Sequence, residues 1–251
     1  MSKTVLEIAV FSLESAILAS GAGADRIEFC ENPQDGGTTP SFGSLKMAAD
    51  LIKIPIFPII RCRGGDFLYA EYEYRIMLED MLLCKKLGFE GVVAGFLNRD
   101  GSVDKKMTSD FVSLAYPMEV TFHRAFDRAA NPFEALETII ECGCSRILTS
   151  GQFPTATEGK DLLKELIRQS DDRIIILPGS GIRSSNIISV LEETGASEIH
   201  SSARTQVPSE MTFINGQMQE ENRNISVDVQ EIKRMKDLLI EKDKNQWDTK
   251  L

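Results

Sequence analysis

A short apolar run that ends in ionisable side chains and then hands over to a helix recurs along this chain. No other feature constrains the fold as strongly. Its clearest copy is Glu119-Val120-Thr121-Phe122-His123-Arg124-Ala125-Phe126-Asp127. A run rich in β-branched and aromatic residues stops at a His-Arg pair, an Asp follows, and residues 131–142 carry a helical pattern. Each copy reads as one βα unit with its chemistry at the carboxyl end of the strand.

The other copies place strands at residues 5–10, 26–30, 56–61, 91–95, 146–150, 174–177 and 198–202. Helices are expected at 12–20, from the Gly-rich turn 35–41 to about 51, at 71–87, 108–115, 158–169 and 184–193, and last at 228–241. Residues 208–223 form a polar excursion without clear periodicity. Even strand length and spacing favour an α/β fold of one domain over residues 1–251, a single (β/α)8 TIM barrel, over an open doubly wound sheet. The length of 251 residues and an apolar fraction of 42% suit one large core.

Strand alternation then sorts side chains by face. Leu6, Ile8, Ile27, Phe29, Ile60, Val120, Phe122 and Ile199 should pack against the helices, which turns Glu7, Glu28, Cys30, Arg61, Thr121, His123 and His200 inward. Arg63, Asp66, Arg124 and Asp127 follow on the loops. Glu28, Arg61, His123 and Asp127 are the candidate catalytic groups, with Glu7, Arg63, Asp66, Arg124 and His200 supporting the barrel mouth. The bland alternative is that Glu7, Glu28 and Arg61 form a buried ion network that only satisfies itself. The chain has two histidines, and both fall at strand ends. A second signal is Gly179-Ser180-Gly181 after strand seven, paired with Ser202 and Arg204 after strand eight. Such loops present backbone N–H groups to an anion, the usual phosphate site of a barrel. Gly-rich turns that merely start a helix are the competing reading.

The formal net charge of −10 argues against nucleic-acid or anionic-membrane partners, although a local basic cluster could still bind a small anion. No signal-peptide pattern opens the sequence, and residues 11–21 are too short and polar to span a membrane. Five cysteines, an odd number without scaffold spacing, suggest reduced thiols in the cytosol, where the Asn224-Ile225-Ser226 sequon has no meaning. Cys84 reads as core. Cys142-Gly143-Cys144 lies before strand six, on the stability face of a barrel, and reads as packing around a glycine cap. A soft ion such as Cu(I) prefers thiolates, and Cys30 on the site side is the best candidate ligand. Cys62 is a second candidate, which alternation turns away if Arg61 and Arg63 point in. No lysine stands at a strand end, against Schiff-base chemistry. Two histidines also argue against a histidine-rich zinc hydrolase, while carboxylate-bound Mg²⁺ stays open.

Six motifs together resemble the CutC family. They are Ala24-Asp25-Arg26-Ile27-Glu28-Phe29-Cys30, Gly36-Gly37-Thr38-Thr39-Pro40-Ser41, Ile60-Arg61-Cys62-Arg63-Gly64-Gly65-Asp66-Phe67, Thr121-Phe122-His123-Arg124-Ala125-Phe126-Asp127, Ile147-Leu148-Thr149-Ser150-Gly151 and His200-Ser201-Ser202-Ala203-Arg204. The resemblance runs over residues 5–204; residues 205–251 are loosely matched. It implies a cytoplasmic TIM-barrel protein of copper homeostasis, a homodimer or higher homo-oligomer, with copper bound through cysteine, here Cys30. Cys62 stands where the family commonly has proline. Two hypotheses follow. One is copper binding through Cys30. The other is an enzyme on a phosphorylated or carboxylated metabolite, in which Glu28 and His123 move protons and Arg61 stabilises an oxyanion.

Overall fold

The computed structural model describes residues 3–218 and 223–248. Residues 1–2 of the opening segment and 219–222 of the polar excursion lie outside the described residues. Eight parallel strands are β1 (Val5–Val10), β2 (Arg26–Phe29), β3 (Ile56–Pro58), β4 (Gly91–Ala94), β5 (Glu119–Phe122), β6 (Arg146–Thr149), β7 (Ile175–Pro178) and β8 (Glu198–Ser201). They alternate with α1 (Leu13–Gly21), α2 (Phe42–Leu51), α3 (Glu71–Leu87), α4 (Lys105–Ala115), α5 (Pro132–Glu141), α6 (Lys160–Ser170) and α7 (Ile187–Thr194). An antiparallel hairpin of β9 (Arg204–Pro208) and β10 (Arg223–Val227) leads into α8 (Val229–Asp248). The fold is an α/β barrel of the (β/α)8 type.

One ladder runs β3-β2-β1-β8 and another β4-β5-β6-β7. A bridge between Ile59 and Val93, with the Ile60 N–H donating to the Val93 carbonyl at 2.7 Å, joins the first to the second. At the other seam β7 and β8 lie side by side without a ladder among the described residues, and Gly179 sits against the His200 ring. Strand three is shorter than its apolar run because Pro58 has no N–H to offer. Helix α4 starts ahead of Thr108 because the Asp104 carboxylate accepts from the Met107 N–H at 2.9 Å. Helix α7 starts later than residue 184, and α8 runs beyond residue 241. The excursion at 208–223 is the span between two hairpin arms whose weak alternation gave no strand signal.

Side-chain alternation divides the interior in two. Leu6, Ile8, Ile27, Phe29, Ile60, Val120, Phe122 and Ile199 pack with the helices in one large core, as the period-two pattern requires. Inside the strand ring a small second cluster holds Cys30, Phe57, Ile59 and Val93. Cys84 and Cys144 are buried, and Cys62 packs on the outer core.

Candidate functional site

Strand register builds a buried ion chain below the barrel mouth. Glu7 stands beside Arg26 on one neighbouring strand and His200 on the other. Arg26 ion-pairs with Glu7 and reaches Glu198 at 2.5 Å; Arg146 holds Glu198 at 2.9 Å and also pairs with Glu119. The Phe57 ring lies between the two guanidiniums, 5.2 Å from Arg26 and 5.5 Å from Arg146. Burial pushes the Glu7 carboxyl up, but Arg26 and His200 outweigh it and hold the pKa down at about 2. Glu7 is therefore a permanent anion under the floor and not part of the mouth. The ion network foreseen for Glu7, Glu28 and Arg61 forms instead around Arg26 and Arg146, and Arg61 takes no part in it.

Above this floor lies a cavity of about 520 Å³ at the carboxyl ends of the strands. Its wall includes Glu28, Cys30, Arg61, His123, Arg124, Asp127, Ser180, Gly181, His200, Ser202 and Arg204. The structure thus gathers most of the expected residues in one place. It leaves out Gly179, which is packed beneath against Leu148 and His200. It also leaves out Arg63 and Asp66, which pair with each other at 3.1 Å while Arg63 grips Glu73 at 2.5 Å.

His200 Nδ1 is 2.7 Å from Glu7, and its Nε2 faces Glu28 at 3.7 Å. Burial lowers the imidazole pKa, but the bond to Glu7 and the field of Glu28 outweigh it and raise it. Burial drives Glu28 up to about 7, against the attraction of His200. Glu28 is consequently poised to take or give a proton near neutrality. Burial and then the neighbouring Glu28 push the Cys30 thiol well above its ordinary range.

His123 is not a proton carrier. Burial, then Arg61, lower its pKa to about 3, so the ring is neutral. Its Nδ1 accepts the Ala125 N–H at 3.2 Å, which leaves the proton on Nε2, and that buried atom has no partner. An unmade buried donor costs about 1–3 kcal/mol.

The Gly-rich turn after β2 serves Arg61. The Arg61 guanidinium donates to the carbonyls of Asp35 (2.6 Å), Gly37 (2.9 Å) and Gly65 (3.0 Å), while its main-chain N–H reaches Thr39 Oγ1 at 2.9 Å. Positive φ at Gly36 and Gly37 brings these carbonyls inward. Arg61 has no carboxylate partner among the described residues, and its Nε is unpaired.

Asp127 differs from the catalytic role expected of it. Its two oxygens accept from Thr149 Oγ1 (2.5 Å), Ser150 N–H (3.0 Å), Gln152 N–H (3.1 Å) and Arg124 Nε (2.7 Å). It staples the loop after β5 to the loop after β6 and positions Arg124. Alternation pointed to none of Arg128, Arg183, Gln152 and Phe67, which also line the cavity. They sit on loops, where no periodicity applies. The nearest signals were the neighbouring Asp127 and the Gly179-Gly181 turn.

Among the described residues no cluster of three or more His, Cys, Asp or Glu is arranged to hold a metal. Cys30 is alone on the inner wall, and both His200 nitrogens face carboxylates. That donor set does not suit a resident copper centre.

The chain is a (β/α)8 barrel with a polar, arginine-rich cavity at its strand ends. A profile of the CutC family matches residues 4–205, and the chain belongs to that family. A CutC family protein of Chromobacterium violaceum is 48% identical over 212 residues, 84% of this chain and 86% of its own. The human copper homeostasis protein cutC homolog is 46% identical over 211 residues, 84% of this chain and 77% of its own. The solved CutC structure from Streptococcus agalactiae superposes with a TM-score of 0.76 at 29% identity, covering 79% of this chain and 98% of that one.

Proposed function

We propose that this protein binds a small phosphorylated or carboxylated metabolite in the mouth cavity and acts on it by proton transfer. The observation that carries this reading is charge. Arg61, Arg128, Arg183 and Arg204 line the cavity and have no carboxylate partner among the described residues, in a chain of net charge −10. Glu28 is the proton-transfer group. The His123 Nε2–H and Arg61 hold the oxygen on which negative charge builds. A thermal-shift screen of phosphate esters and carboxylates tests it, followed by turnover assays of any hit with wild type and Glu28→Gln. Binding kept by the variant with turnover lost is the expected result; a screen without hits rejects the reading.

The second reading, copper as cargo, is favoured by Cys30 on the cavity wall and by the copper homeostasis names of the relatives. The raised thiol pKa and the missing second thiol argue for weak binding. An anaerobic Cu(I) competition titration on reduced wild type and Cys30→Ser decides it: tight binding that collapses in the variant restores copper as the ligand. A cytosolic location belongs to the same proposal, supported by five unpaired thiols. So does a homo-oligomer, supported by the exposed Phe42, Met47 and Leu51 of α2 and checked by light scattering. No helix among the described residues is long and apolar enough to cross a membrane.

A further inference from the structure

We infer that the ligand carries two anionic groups, one at each side of the cavity. A phosphate ester is held by the loops after β7 and β8. A carboxylate or polarised carbonyl oxygen is held by Arg61, Arg128 and His123 at the ends of β3 and β5. This rests on the anionic-metabolite reading above and specifies its substrate class.

Strand order sets the two sites apart. In a ring of eight strands taken in sequence, β3 lies across from β7 and β4 across from β8. Arg61, at the end of β3, therefore faces the Ser180 and Gly181 loop over the width of the mouth, and the midpoint between Arg61 and His123, at β4, faces the loop after β8.

The β3/β5 site is built for an oxygen ligand. Arg61 and His123 are 3% and 4% exposed, and each turns an unpartnered donor, Nε and Nε2, inside the buried wall. Phe67 locks them together, with its ring 4.9 Å from the Arg61 guanidinium, 4.8 Å from the His123 ring and 5.4 Å from Arg128. A guanidinium tethered by three carbonyls and a neutral imidazole are donors of the kind that suit an oxygen ligand. The neutral state of His123 suits a donor to developing charge, as in other barrels that polarise a carbonyl with imidazole.

The β7/β8 site has a different construction. Ser180 and Gly181 both adopt positive φ (80° and 73°), and their N–H groups find no acceptor among the described residues. Arg183 donates to the Arg204 carbonyl at 2.9 Å and so ties the two loops together. Backbone N–H groups with arginines at the rim suit a phosphate. The acidic groups of the wall do not cancel these sites: Arg124 already neutralises Asp127, and Glu28 lies between them beside His200. Asp35 points its carboxylate toward Gly64. The cavity of about 520 Å³ is far too large for inorganic phosphate alone and has the size of a metabolite site.

The experiment is calorimetric titration of the full chain at low salt with inorganic phosphate, sn-glycerol 3-phosphate, lactate and 3-phosphoglycerate. 3-Phosphoglycerate should bind about tenfold or more tightly than sn-glycerol 3-phosphate, which has a neutral hydroxymethyl group in place of the carboxylate. Arg61→Met should erase that advantage and leave sn-glycerol 3-phosphate nearly unchanged, whereas Arg204→Met should weaken both. ¹⁵N-histidine NMR on wild type gives a readout independent of the folding of the variants: the His123 Nε2–H resonance should move with 3-phosphoglycerate and stay in place with sn-glycerol 3-phosphate. Equal affinity for the two esters, with an unmoved Nε2–H, overturns the two-site inference and leaves a simple phosphate site. No binding of any of the four probes overturns it together with the anionic-metabolite reading.

Discussion

Glu28 and Cys30 share one wall of the cavity, and burial raises the pKa of both. The sign of the effect on stability follows from the Glu28 shift. Its folded pKa, about 7, lies above the ordinary 4.5, so the folded state holds the proton more tightly. The stability this contributes is complete below pH 4.5 and is lost as pH rises through about 7. Glu28→Gln should therefore unfold at higher denaturant concentration than wild type at pH 8, by about 1–3 kcal/mol, and show little gain at pH 5. Urea titrations at the two pH values check this. Cys30 should resist alkylation by iodoacetamide at pH 8, because the thiolate is the reactive form and is suppressed there. Mass spectrometry of native protein should find half-buried Cys62 labelled several-fold faster than Cys30.

At the scale of elements, the strands pack by letting one bulky side chain fill the ring where a neighbour has none. A Cβ at Gly91 on β4 would come within 2.5 Å of the Phe57 ring. Two guanidiniums stack on that ring, at 5.2 and 5.5 Å from its centre, so it shifts only at their expense. Gly91→Ala should cost about 1–3 kcal/mol by overpacking, read as a lower denaturation midpoint with an unchanged m-value. Gly95 plays the same part for the His123 ring, 2.5 Å from its Cβ position. The glycines at the start of β4 and just past its end are thus required by what stands opposite them.

The last helix ties the whole molecule together. Glu231 on α8 accepts the Ser184 N–H at 2.7 Å and the Ser184 hydroxyl at 2.9 Å, and it pairs with Arg234 at 2.8 Å. It fixes the segment that follows Ser180 and Gly181. On the same helix Asp243 holds the Thr4 main chain at 2.9 Å, and Lys236 reaches Asp25 at 2.5 Å. Removing the Glu231 carboxylate should loosen the loop after β7 from a distance. Glu231→Ala is expected to weaken phosphate-ester binding about three- to tenfold with unchanged circular dichroism and a loss of about 1–2 kcal/mol. Calorimetry with sn-glycerol 3-phosphate measures the first effect and thermal unfolding the second.

Period-two alternation by itself determined which side chains of each strand face the ring, because that property is local to a strand. Glu28, Cys30, Arg61, His123 and His200 could all be oriented from it, and the even repeat of strand and helix implied the barrel. Tertiary structure decided who meets whom. Glu7 pairs with Arg26 and His200 because the register of β1 with β2 and β8 sets them level, and no single strand contains that information. Arg63 and Asp66 turn away toward α3, while Arg128 and Arg183 turn in, since loop side chains follow hydrogen bonds rather than a period. The neutral state of His123 and the half-ionised state of Glu28 likewise come from burial and from charges brought close by strands far apart in sequence.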